Sequence, residues 1–354
     1  MTILIFPCTL IAATKFAQEA RNWGHKTLGA SSIVNEQTAI HYDDWVELPL
    51  IGNEAFFDRL RDIVQEKGIR SIFTPHAPTF HLLQDRLAGE LPKITLLGRG
   101  PFETQMANVI CNLALGKSVI KLANDIAGVE GPFSPEFVGS VVAQADSIHG
   151  ECAQQKMSAL FAMMPEAPKG DIIEIGALYG KSSYLLNRIG TYLNIGATLA
   201  VDPWNLGLSV QLDAPVHIQT ASGGWDWDVV ATGFIMNMLS VSNAPFNYLR
   251  ATSKQAYKQY STSQLVESKE FGTVRYAGQI SVLHLDGNHD EVAVAEDFEL
   301  WSPHLAPNGW IIFDDYNWAH GDGPKIVADR ALKFYGTRVK KHFVAGGAMF
   351  VNVL

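Results

Sequence analysis

Apolar residues recur along this chain in two rhythms, and the alternation between them divides it into strands and helices. The β-branched run Ile3-Leu4-Ile5-Phe6, closed by Pro7, predicts a buried first strand. Residues 12–23 follow helical spacing, and Gly24-His25-Lys26 ends that helix. Residues 56–66 predict an amphipathic helix with Gly68 as its stop, and residues 71–74 a second short strand. Strand, helix, strand is an α/β signature, here assigned to an auxiliary domain over residues 1–100. Residues 102–122 and 135–164 are mainly helical, broken at Gly128, Gly131 and Pro132, and predict a helical connector over residues 101–165. The Pro-rich turn before Gly170 leads into a second α/β domain, residues 166–354. Its expected strands cover residues 171–175, 198–202, 246–250, 280–285 and 309–313, with a terminal pair, 338–342 and 348–354, joined by Gly346-Gly347.

The chain has 354 residues, 47% hydrophobic and 18% charged, as in globular proteins with room for two modest domains. A net charge of −9 argues against a broad nucleic-acid footprint, because phosphate binding draws on clustered Lys and Arg. It favours a small, uncharged or cationic ligand. Cys8, Cys111 and Cys152 are widely spaced and form no CxxC pair, so neither disulfides nor zinc is indicated and a reducing cytoplasm is expected. The first ten residues lack a basic leader and a cleavage site, and Lys, Asp or Gln interrupts every later apolar segment. No membrane span is therefore expected, and the protein reads as a soluble homo-oligomer. The first hundred residues loosely resemble the small Rossmann-like domain that precedes the ATP-grasp fold, without a phosphate-binding glycine loop.

The chemistry begins at Asp171-Ile172-Ile173-Glu174-Ile175-Gly176, an apolar strand ending in an acid and a glycine. Ala177-Leu178-Tyr179-Gly180-Lys181-Ser182-Ser183 then turns into a helix beginning near Ser182. Gly176 and Gly180 allow a sharp turn and close approach of a ligand, and the helix's free N–H groups face its polar end. Glu174 is placed to hold a ligand's ammonium group or order its water. The spacing excludes the nicotinamide fingerprint Gly-x-Gly-x-x-Gly and the P-loop. The loop resembles the first motif of class I S-adenosylmethionine (SAM) dependent methyltransferases. That resemblance implies a Rossmann-like domain with a seven-stranded mixed sheet and makes Gly176, Gly180, Ser182 and Ser183 candidate cofactor contacts. At the end of the next strand, Asp202 is a candidate acceptor for the ribose hydroxyls and Trp204 an aromatic wall for adenine. Ser253, after the third strand, reads either as a contact near adenine or as a helix N-cap.

The strand at residues 280–285 delivers Asp286 at its end and His289 one turn later, and the strand at 309–313 delivers Asp314 and Asp315. Adjacent strand ends converge on one crevice in an open α/β sheet, and three carboxylates brought together there repel one another unless a cation joins them. Oxygen ligands of this kind suit a divalent ion, magnesium foremost. Leu285-Asp286-Gly287-Asn288-His289 together with Pro307-Asn308-Gly309-Trp310-Ile311-Ile312-Phe313-Asp314-Asp315-Tyr316 resembles the metal-dependent O-methyltransferases of the macrocin type, which methylate sugar hydroxyls of macrolides. The likeness covers residues from about 150 to the C-terminus. It implies natural-product biosynthesis, a metal on Asp286, Asp314 and Asp315, and His289 as general base toward a small-molecule hydroxyl. His284 reads as a structural residue within its strand.

Residues 205–245 form an insertion of a length that usually serves as a lid. Within it Trp225 and Trp227 are available to stack on a sugar or to pack with Phe234, Met236 and Met238. His320 and Asp322, in the loop after Asp315, are further candidates for substrate contact. Two other functions are compatible with these residues: a non-catalytic SAM-binding regulatory or assembly protein, and a metal-dependent hydroxylase-like activity.

Overall fold

The computed structural model describes residues 1–33, 36–241 and 245–354. They form two compact units, Met1–Cys111 and Asn112–Leu354.

In the first unit, β1 (Thr2–Ile5), β2 (Lys26–Ser31), β3 (Asp44–Glu47), β4 (Ser71–Phe73) and β5 (Thr95–Leu96) make a parallel sheet in the order β3-β2-β1-β4-β5. β1 lies at its centre and is covered on both faces, which is why its sequence is an unbroken apolar run. Leu4 packs with Leu28, Ile72 and the helix residues Phe56, Leu60 and Ile63 on one side. Ile3 and Ile5 pack with Ala13, Ala17 and Ala20 of the helix Ile11–Asn22 on the other. The helix Phe56–Lys67 ends, as the sequence indicates, on Gly68 at φ 62°.

The helix Pro101–Ala127 runs across the division between the units. It has 27 residues and mean hydropathy 1.3 over its most apolar window, long and apolar enough to cross a membrane by length and composition. The expectation that no segment reaches that length is corrected here. Lys117, Lys121 and Asp125 recur every four residues and so share one face of the helix, leaving the apolar run around them continuous.

The second unit is built on a seven-stranded mixed sheet in the order β13-β14-β12-β11-β6-β7-β8. Its strands are β6 (Asp171–Ile175), β7 (Thr198–Val201), β8 (Phe246–Leu249), β11 (Ile280–Leu285), β12 (Leu305–Phe313), β13 (Val339–Ala345) and β14 (Ala348–Val353). β14 alone runs against its neighbours, pairing antiparallel with both β12 and β13. This is a Rossmann-like fold with the seven-stranded mixed sheet expected for residues 166–354. A separate hairpin, β9 (Leu265–Ser268) with β10 (Gly272–Arg275), was not evident from the sequence pattern. The helices Pro135–Asp146 and Gln154–Met163, expected as part of a connector, place Val138, Val142, Leu160 and Phe161 in the same core as Ile172, Val282 and Trp310 of the sheet. β6 and β11 run parallel, and the order in which strands are added reverses between them, so the crevice at the C-terminal ends of these two strands is the expected place for a ligand.

Candidate functional site

β6 is fully buried and delivers Gly176 at φ 88°, a conformation that favours glycine. A Cβ at this position would also collide with the Asp286 carbonyl, so the glycine is what lets the loop after β6 lie against the end of β11. Gly180, at φ 91°, is the N-cap of the helix Lys181–Tyr192, whose open N-terminus and half-buried Ser182 stand at this crevice.

The acids around the loop face inward. Glu174 is fully buried: one carboxylate oxygen accepts the Ser183 hydroxyl and the other meets His284 Nδ1 at 2.9 Å. The β6–β11 register sets Glu174 opposite His284. Glu174 is thus engaged within the sheet rather than presented to a ligand ammonium group, and Ser183 is engaged with it. Asp202 Oδ2 accepts the backbone N–H groups of Ala177 at 2.9 Å and Leu178 at 3.0 Å, and its Oδ1 accepts that of Trp204 at 2.7 Å. Its carboxylate ties down the glycine loop, and burial raises its pKa above the usual carboxylate range despite these donors. Trp204 is buried against Phe234 and Tyr248, with its indole N–H donating to the Leu178 carbonyl, so its ring serves the core. The helix Ser253–Ser263 is capped by Thr252, one residue earlier than the sequence reading placed it, in a reciprocal capping box with Gln255. Ser253 instead accepts the indole N–H of Trp301 at 2.9 Å.

The ends of β11 and β12 are knitted together. Asp286 N–H donates to the Ile175 carbonyl at 2.8 Å, and Asp314 N–H to the Leu285 carbonyl at 2.9 Å. Asp315, at φ 50°, turns its carboxylate toward His289, and Nε2 of the imidazole lies 3.0 Å from Oδ2. The indole of Trp318 stands edge-on to His289 with ring centres 4.8 Å apart. His289 Nδ1 is buried and has no hydrogen-bond partner among the described residues. Burial holds the imidazole below its ordinary pKa, although Asp315 and Asp314 pull the other way.

Asp314 faces a different partner. The ammonium of Lys156, a side chain only 2% exposed, bonds to Asp314 Oδ2 and lies 3.6 Å from Asp286 Oδ2. Burial opposes its charge, but Asp314 and Asp286 outweigh that and hold the lysine well above its usual range. The same ammonium, with His284, overcomes burial to hold Asp314 well below the carboxylate range. His284 Nε2 sits 3.8 Å from both Asp286 and Asp314. A buried polar line therefore runs from Ser183 through Glu174 and His284 to Asp286, Asp314 and Lys156. Lys156 was missed by the sequence reading. The available signal was its place on the helical face of Leu160 and Met163, both buried.

The three residues expected to share a cation, Asp286, Asp314 and Asp315, do not fall into one donor set among the described residues. The groups whose ligand atoms do lie within 4.8 Å of one another are Asp286 with His289 and Asp315, and Glu174 with His284 and Asp286. The cation does not fit the expected triad, because Lys156 already fills the Asp314 position. It also stands 3.6 Å from Oδ2 of Asp286, the residue both groups share.

The insertion after Trp204 folds into the short helices Leu206–Ser209 and Val216–Gln219 and the longer helix Trp227–Leu239; its residues 242–244 lie outside the described residues. It is pinned to the loop after β11. Asp290 accepts the N–H groups of Leu212 and Asp213 at 2.8 and 3.0 Å, and Asn288 donates to the Val210 carbonyl at 2.9 Å. Trp225 is exposed beside the half-buried Trp227, while Phe234 and Met238 pack in the core and Met236 faces outward. His320 stacks edge-on with Trp318 and with His217 of the insertion, at 5.4 and 5.5 Å, which carries an aromatic line from His289 to the insertion.

Residues 173–316 match the family model described as a methyltransferase domain. The match covers the glycine loop, the insertion and both strand ends that carry the acids. No curated protein matches the chain. Among solved structures, the O-methyltransferase NovP is 15% identical, covering 53% of this chain and 73% of its own, with a TM-score of 0.39. The calicheamicin methyltransferase CalS11 is 13% identical over 72% of this chain and 94% of its own, with a TM-score of 0.38. The MycE methyltransferase of mycinamycin biosynthesis, solved with Mg, S-adenosylhomocysteine and mycinamycin VI, is 12% identical over 66% of this chain and 54% of its own, with a TM-score of 0.32.

Proposed function

We propose that the methyltransferase domain binds SAM over the Gly176–Gly180 loop and transfers its methyl group to a hydroxyl of a sugar-like or polyketide-like small molecule. SAM would supply a sulfonium that is already a strong electrophile, so the protein's part is to align the acceptor oxygen and remove its proton. The observation that carries this reading is the His289–Asp315 pair at the ends of strands adjoining the glycine loop. In the tautomer whose Nε2–H faces Asp315, 3.0 Å away, the imidazole would keep its lone pair on Nδ1, which has no hydrogen-bond partner among the described residues. Asp315 orients the ring, and burial favours the neutral form that accepts a proton. The O–H bond gives its proton to Nδ1 as the oxygen forms its bond to the methyl carbon and the carbon–sulfur bond breaks. Trp318 and His320 line the approach to His289 and favour a ring-bearing acceptor.

Purified protein with isotope-labelled SAM and a panel of hydroxylated acceptors tests this reading. His289→Ala is expected to slow transfer by about 10²–10⁴-fold, the ordinary contribution of a general base, while SAM affinity by calorimetry stays unchanged. Absence of SAM binding by the intact protein, or full activity in the variant, would refute it.

A further inference from the structure

The acid cluster at the ends of β11 and β12 contains a cation of its own. Lysine is among the residues least often buried, yet Lys156 is enclosed and its ammonium meets Asp314 while standing 3.6 Å from Asp286. Its seat is shaped for it. Gly346, in the turn between β13 and β14 at φ 57°, rests directly on the backbone of Lys156, and a Cβ there would collide with the lysine's N and Cβ atoms. The helix that carries Lys156 is anchored behind it by Leu160, Phe161 and Met163 in the core.

We infer that Lys156 is the resident cation of this site, occupying the place between Asp286 and Asp314 that a divalent ion would take and excluding such an ion from the cluster. A divalent ion takes carboxylate oxygens at roughly 2.0–2.6 Å. On Asp286 and Asp314 it would be forced against the ammonium. On Asp286, His289 and Asp315 it would compete with Asp315 for His289 Nε2 and share Asp286 with Lys156. The lysine also positions Asp286 and Asp314 with a fixed single charge that needs no metal supply. This inference extends the proposed methyl transfer, but its test is independent of turnover.

The experiment is a titration of the full chain with Mn²⁺, read by the loss of free-ion electron paramagnetic resonance signal and by thermal melting. The wild-type protein is expected to take up no Mn²⁺ at a saturable site into the millimolar range, and thorough chelation should leave any methyl transfer unchanged. Lys156→Met is expected to gain one Mn²⁺ site, and Lys156→Met/Asp314→Asn to lose most of that gain. If Lys156→Met is poorly folded without metal, restoration of its melting transition by Mn²⁺ but not by matched ionic strength reports the same gain. Saturable Mn²⁺ binding by the wild type would overturn the inference, as would a folded Lys156→Met that acquires none. A protein that binds no SAM but still excludes Mn²⁺ would defeat the proposed function and leave this inference standing.

Discussion

Replacing Lys156 with Met keeps an apolar stem as far as Cε and removes the ammonium, so the variant isolates that group. Lys156 and Asp314 are 2% and 10% exposed, too enclosed for water to take over the lost interaction. Without the ammonium, the group nearest Asp314 that is able to carry a positive charge, among the described residues, is His284, 3.8 Å away. Breaking a buried pair in this way costs about 3–5 kcal/mol, mostly the penalty of the stranded carboxylate. At about 2–4 °C per kcal/mol for a unit of this size, the melting temperature should fall by roughly 6–20 °C. Lys156→Met/Asp314→Asn leaves neither charge behind and should recover most of the loss, with a coupling of at least about 2 kcal/mol. The pH dependence has a definite sign. Asp314 is held below its unfolded value, so its contribution is present above about pH 4 and lost as pH falls through the folded value. Lys156 is held above its own, so its contribution is present below about pH 10 and lost as pH rises through the folded value. Asp286, which burial and Asp314 hold well above the carboxylate range, also loses its cation, so the deficit of the single variant should grow as pH rises through the folded value of Asp286. Scanning calorimetry in chelator, following the transition of the second unit, measures all three proteins. A single variant within about 1 kcal/mol of wild type, or a double variant no more stable than the single, would refute the reasoning.

Gly176→Ala should abolish SAM binding and lower the stability of the second unit by more than about 2 kcal/mol, since a left-handed backbone alone costs about 1–2 and the added Cβ meets the Asp286 carbonyl; calorimetric titration and melting check both effects. Asp290→Ala removes the two hydrogen bonds that pin residues 212 and 213, so limited proteolysis between residues 205 and 225 should quicken with little change in melting temperature.

The parts of the fold legible in the sequence are those whose cause is local. β6 and β11 are covered on both faces by helices, so Asp171–Ile175 and Ile280–Leu285 appear as short apolar runs whatever pairs with them. Gly176 and Gly180 mark the loop because only glycine readily takes the backbone each requires. β2 escaped because Lys26–Ser31 has little apolar character of its own; Gly29 is covered by the ring of Tyr42, which no spacing rule predicts.

The acids were found by a rule about strand ends, and that rule brings Asp286, His289 and Asp315 together. It says nothing of which way each carboxylate turns. Asp202 and Glu174 sit where a ligand-facing acid would, yet N–H groups of the glycine loop claim Asp202, and Ser183 of the following helix and His284, set opposite by the strand register, claim Glu174. Asp314 is the sharpest instance. Its neighbour Asp315 turns to His289, while Asp314 turns to a lysine 158 residues earlier in the chain. Counting carboxylates alone gives the triad a net negative charge that demands an external ion. Counting the buried lysine as well removes much of that demand. A lysine on the apolar face of a helix is costly unless an anion awaits it, so Lys156 among Met157, Leu160 and Met163 is itself a sign that one does. The electrostatics of an acid cluster therefore have to be read with every buried cation the fold delivers to it, including those from elements outside the motif.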